Sequence, residues 1–133
     1  MPRVIRGALA GAVATAVMTV PIEAGRRLGL YRTPKPKDVT AGVLGDDPAT
    51  PTWLAAHFAM GIGLGVLFAQ LPRHGRYAGL AFGLAVWAAN YGGLLPAAGI
   101  YPPPRRDRDA RVAVGVVSHL VFGVAVAETY SRL

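Results

Sequence analysis

Four stretches of this 133-residue chain are almost wholly apolar. Each is close to the ~20 residues that cross the hydrocarbon of a bilayer. They cover residues 7–24, 52–71, 77–100 (with a break at Pro96) and 111–130. The pattern predicts helices, because backbone groups in lipid must find partners within their own segment. The expected fold is all-α, a single integral membrane domain built as a four-transmembrane-helix bundle. The opening "MPRVIRGALAGAVATA" has features of a secretory signal, but it reads as the first membrane helix. "LPRHGRY", residues 71–77, is a tight link with Pro72 and Gly75, and it predicts that the second and third spans are antiparallel neighbours. The longer connection, residues 26–53, is rich in Pro, Gly and Asp and predicts a loop.

Composition sharpens this picture. Only 16% of residues are charged, where a soluble domain has about 25%. Lys and Arg number 14 against 7 Asp and Glu, and nearly all lie between the apolar runs. That placement suits cationic loops against anionic lipid headgroups. No basic stretch is interleaved with aromatics, so no nucleic-acid partner is expected. Cysteine is absent, which excludes disulfides, thiolate metal ligands and cysteine nucleophiles. Five basic residues (Arg3, Arg6, Arg73, Arg76 and Arg132) fall on one side of the spans, against nine on the other. The nine are Arg26, Arg27, Arg32, Lys35, Lys37, Arg105, Arg106, Arg108 and Arg111. The positive-inside rule then places loops one and three in the cytoplasm and both termini outside, in a multi-pass protein of the plasma (inner) membrane.

Two segments resemble each other: "GLYRTPKPKD" from Gly29 and "GIYPPPRRDRD" from Gly99. Each follows a span that opens with a small-residue pattern, "GALAG" at Gly7 and "GLAFG" at Gly79. Each precedes a span with His-x-x-x-Gly: His57 with Gly61, and His119 with Gly123. The expectation is a pair of duplicated helical hairpins, a parallel repeat that makes His57 and His119 pseudo-symmetry mates. Every span also carries a seam of small residues. Gly7, Gly11, Thr15, Thr19 and Glu23 form one ridge on the first; Gly115, His119, Gly123 and Ala127 form one on the fourth. Such seams let helix backbones approach closely. Bulky residues such as Leu64, Phe68, Trp87, Leu120 and Phe122 are expected mostly to face lipid or fill gaps.

The polar residues inside the spans fall at one level. At ~1.5 Å per residue, His57 lies ~8 Å, His119 ~12 Å and Asn90 ~15 Å below the surface at which Glu23 sits. Thr19 and Ser118 share that slab. Ionisable groups in a membrane usually face the bundle interior or water, so these six residues are expected to converge, with both imidazoles turned inward. Three readings of the cluster stay open. It fixes helix register through hydrogen bonds. It is a proton or metal site, for example for Zn²⁺, with His57, His119 and Glu23 as ligands. Or His57 and His119 hold a b-type haem between them. The first expects no cofactor. Glu128 is expected in an interfacial ion pair near Arg6, Arg73 and Arg76, and His74 is expected to be solvated.

The residues "GIYPPP" and "SHLVFGVAVAE" resemble the last two helices of the YagU-like family of small bacterial inner-membrane proteins. There a helix ends near a Gly-x-x-Pro-Pro turn, and the next carries Gly-His-x-Val and a later Glu. The matching positions here are Gly99, Pro102, Pro103, His119, Val121 and Glu128; Ser118 stands where the family has glycine, and the His-to-Glu spacing differs by one. "GALAGAVATAV" and an early His in the second span are also similar. The resemblance implies a multi-pass inner-membrane protein. No nucleophile elbow, zinc-protease motif or phosphate loop is present, so no enzyme is expected. The expected role is a non-enzymatic membrane module, as a homodimer or an accessory subunit of a larger membrane complex. A small transporter or sensor is the alternative, and a haem-binding electron carrier a lower one.

Overall fold

The computed structural model describes residues 1–133 and is all-helical. The helices are α1 (Arg3–Arg27), α2 (Lys35–Leu44), α3 (Thr50–Phe68), α4 (Arg76–Ala89), α5 (Leu95–Ala97) and α6 (Asp109–Arg132). A π-helical turn, Asn90–Leu94, joins α4 to α5 into one rod. α1, α3, the α4–α5 rod and α6 are long and apolar enough to cross a membrane. They match the four predicted spans within a few residues.

Packing is organised around α1 and α6, which lie against each other; α3 packs on α1 and α4 on α6. Glycine sets both outer crossings. A Cβ on Gly11 would land on the Gly61 carbonyl, and one on Gly83 would land on that of His119. Gly7 meets Gly65 and Ala69, while Gly79 meets Gly123 and Ala127 in the same manner. Such backbone approach supplies van der Waals contact that can hold helices together even where there is no hydrophobic drive between them. The expected α3–α4 neighbour pair is therefore corrected. The short link brings the two together at its own end, where Phe68 meets Phe82 (ring centroids 5.3 Å apart), but their flat seams fit α1 and α6 instead.

Of the bulky residues expected to face lipid or fill gaps, Phe68 and Phe122 do the latter and form the centre of the core, at 0% and 1% exposure, with Ala10, Ala14, Val126 and Tyr130. The small faces of α1 and α6 leave the space these rings fill. Residues 35–44, expected as loop, form the amphipathic helix α2, which packs on α3. It has local signals: proline in the first turn, Asp38 near the N-terminal dipole and Gly45 at its end. Gly45 adopts φ +83°, a left-handed conformation that suits glycine, and its N–H donates to the Ala41 carbonyl at 2.8 Å.

The π turn has a physical cause nearby. Pro96 has no N–H to give to the carbonyl four residues back, and its ring crowds that carbonyl. The Leu95 N–H instead reaches Asn90, five residues back, and the turn widens.

Candidate functional site: a cavity between the outer helices

Because α3 and α4 diverge from their linked end, a cavity of about 450 Å³ opens between them. α1 and α6 form its floor, and α2 covers one side through Val39, Thr40, Val43 and Leu44. Its wall is mainly apolar, with Met18, Ile22, Met60, Leu64, Val86 and Phe122. His57, Asn90, Ser118 and His119 all line it. Both imidazoles therefore face one interior space.

The polar groups inside the long helices are held by local bonds. The His119 Nδ1–H donates to the Gly115 carbonyl at 2.8 Å, which in the neutral ring leaves Nε2 as a bare acceptor. The Thr19 hydroxyl donates to the Thr15 carbonyl (2.8 Å), leaving its oxygen 3.4 Å from His57 Nε2. Ser118 donates to the Val114 carbonyl at 2.6 Å. Gly61 is small because the Thr15 side chain occupies the place its Cβ would take. The ridge read on α1 thus runs from the Gly11–Gly61 contact through Thr15 to Thr19 beside His57.

Glu23 does not join this group. It lies one turn beyond Thr19, 35% exposed, where Arg26 (2.6 Å) and Arg27 (2.8 Å) hold its carboxylate. Two guanidiniums on the same turn outcompete distant imidazoles. A three-ligand site of His57, His119 and Glu23 is not assembled, and no three His, Asp or Glu side chains converge elsewhere. At the opposite end, Glu128 pairs with Arg76 (3.2 Å) and Arg132 (3.4 Å), while Arg6 binds the Tyr130 carbonyl at 2.7 Å. His74 is not solvated as expected; its ring packs on Tyr130 at 4.5 Å and edge-on to Phe68.

The mouth of the cavity holds a cluster that pattern reading missed. The Lys35 ammonium sits 3.4 Å above the Tyr91 ring centroid and 5.4 Å from that of Tyr101. It is 4.0 Å from the Asp107 carboxylate, which also accepts the Tyr91 hydroxyl. Arg111 bonds Asp38 at 3.1 Å and approaches Asp107 at 3.7 Å. Trp87 lines the adjacent wall with its indole nitrogen buried and unpartnered. Gly115 keeps a small profile beneath Lys35 and Trp87: a Cβ there would stand 3.2 Å from both nitrogens. The members come from α2, the π turn, the 99–108 connection and α6. Only the matched "GLYRTPKPKD" and "GIYPPPRRDRD" segments hinted that these residues belong together.

Burial lowers the Lys35 pKa to about 8, against the opposing pull of Asp107. Below that pH the folded and unfolded chains are both charged here, and the cost of burying the ammonium is fully present. From about 8 to 10.5 the folded form sheds the proton first, so stability rises with pH. Burial raises the Tyr31 pKa above 10, which acts in the opposite sense only at higher pH. The melting temperature in detergent is therefore expected to rise between about pH 7.5 and 9.5, and the rise to shrink in Lys35→Met. An equal rise in that variant would assign it to another group.

Residues 1–133 match the sequence profile of a family described as "Family of unknown function (DUF6789)". No curated protein and no solved structure matches the chain.

Proposed function

Since the chain belongs to the DUF6789 family, whose function is unknown, its role must come from its own architecture, and we propose that it is a non-enzymatic membrane module that binds a small, mainly apolar molecule inside the bilayer. The observation that carries this is the 450 Å³ cavity, framed by apolar side chains and entered by a few polar atoms. That is the composition of small-molecule sites in general. Four helices long and apolar enough to cross a membrane surround it, so a ligand dissolved in lipid has a direct route between α3 and α4. His57, Asn90, Ser118 and His119 supply orientation rather than chemistry.

The same reading places loops one and three in the cytoplasm of an inner-membrane protein, by the nine-to-five bias of Lys and Arg. Pairing with a second copy or a larger membrane partner extends it. It also includes descent from a duplicated hairpin, supported by the two glycine crossings. Their geometry matches Gly65 with Gly123 and Gly61 with His119. His57 then corresponds to Gly115, one helical turn from the alignment that the His-x-x-x-Gly pattern suggests.

A fluorescence titration tests the binding role. In a Trp53→Phe background Trp87 is the lone tryptophan, and bromobenzene in the cavity would quench it. Saturable quenching is expected, weakened at least tenfold by Ala56→Phe, which adds a ring at the exposed lip of the cavity. Linear quenching that ignores Ala56→Phe would mean simple partition into detergent and would overturn the proposal.

A further inference from the structure

The ligand class can be narrowed, on the premise that the cavity binds a small molecule. Lys35 is not placed like an ordinary surface lysine. Its ammonium lies over the face of Tyr91 at 3.4 Å, with Tyr101 at 5.4 Å and the Asp107 carboxylate at 4.0 Å. Tyr91, Tyr101 and Asp107 are 3%, 7% and 4% exposed, so this is an interior box rather than a surface patch. Two aromatic faces with a carboxylate make the arrangement that attracts alkylammonium ions. The box already holds one, carried on a flexible four-carbon stem.

Lys35 and Tyr91 also line the apolar cavity, so the box adjoins the cavity along the face of Tyr91, with Tyr101 and Asp107 standing behind it. Lys35 stands at the first position of α2, and its ammonium can leave by side-chain rotation while α2 stays in place. Once it leaves, Asp38 and Asp107 face Arg111 alone, and the mouth has one negative charge in excess. An incoming cation restores neutrality, whereas an anion would worsen the imbalance only in that opened form and would meet two carboxylates.

We propose that the Tyr91–Tyr101–Asp107 box receives the ammonium head of an amphiphilic organic cation, that the apolar cavity takes its body, and that Lys35 is a tethered surrogate which the ligand displaces. The surrogate keeps the box neutral and the mouth closed when no ligand is present. It also sets a threshold, because any ligand must outcompete an internal cation.

Benzyltrimethylammonium and its uncharged carbon isostere neopentylbenzene separate this inference from the cavity reading. Both are titrated by calorimetry against the 133-residue chain in detergent, with protein-free micelles as blanks. Lys35→Met vacates the box, and it is expected to bind benzyltrimethylammonium at least tenfold more tightly than wild type. Adding Asp107→Asn to it is expected to abolish that gain. Neopentylbenzene is expected to bind wild type and Lys35→Met alike. If it binds while the cation gains nothing in Lys35→Met, the ammonium assignment falls and the cavity reading stands. If neither probe binds either protein, both fall. Should Lys35→Met not fold, Lys35→Gln replaces it, and an unchanged cation affinity there is equally fatal.

Discussion

Replacing Gly83 with alanine is expected to destabilise the bundle by about 1–3 kcal/mol, the usual cost of forcing atoms into a packed interior. The added Cβ would fall on the His119 carbonyl oxygen, with the His119 carbonyl carbon and the Gly123 Cα close behind. All three are backbone atoms of α6, so no side chain can rotate away, and the α4–α6 crossing must widen. The same change at Gly11 would meet the Gly61 carbonyl and force α1 from α3. Gly63 is the control. It lies on α3 between Gly61 and Gly65, two residues from each, yet nothing lies within 4 Å of its Cβ position. There alanine brings only its better helix propensity, about 0.8–1 kcal/mol in its favour in water. Reversible unfolding in mixed micelles measures both. Equal effects at Gly83 and Gly63 would mean that the crossings do not depend on backbone contact.

This contrast also explains what was readable in the chain. Apolar run length located the four long apolar helices to within a few residues, since runs of that length and hydropathy are those that would have to satisfy their backbone as helices in lipid. Small residues four apart marked which faces meet, and Gly7, Gly11, Gly79 and Gly83 all lie in crossings. What spacing could not give was the partner of each seam. A tight link argued for α3 beside α4, yet complementary glycine surfaces took α3 to α1 and α4 to α6. The inward turn of His57 and His119 was legible because burying a polar ring against hydrocarbon is costly. Glu23 stays outside the cavity because depth along the helix does not decide a carboxylate's partner when cations stand nearer. Arg26 and Arg27, three and four residues on, are helical neighbours of Glu23 by spacing alone. α2 was hidden by its prolines, which read as loop although proline is well tolerated in a first helical turn.

Asp107→Ala is expected to produce the largest change at the mouth, a loss of about 2–3 kcal/mol. Breaking a fully buried ion pair by deleting one partner costs roughly 3–5 kcal/mol, since the other charge is left uncompensated. Lys35 and Arg111 retain 23% side-chain exposure, and water reaching them brings the cost below that range. Asp107 itself is 4% exposed and is the one carboxylate that Tyr91, Lys35 and Arg111 share. Without it, two cations face Asp38 alone, and the Tyr91 hydroxyl loses its acceptor inside the protein. Asp107→Asn keeps an acceptor for Tyr91 and is expected to cost less, because only the charge is removed. Combining Asp107→Ala with Lys35→Met removes one uncompensated cation and is expected to recover part of the loss, a coupling that a double-mutant cycle measures directly. The local signature is as specific as the global one. Lys35 and Asp38 tie α2 to this cluster, so amide exchange in residues 35–44 is expected to speed up more than exchange at the Gly11–Gly61 crossing. Uniform acceleration across the chain would make Asp107 a prop of the whole bundle. Acceleration confined to α2 would make it the latch that holds the cover on the cavity, the arrangement that a displaceable Lys35 requires.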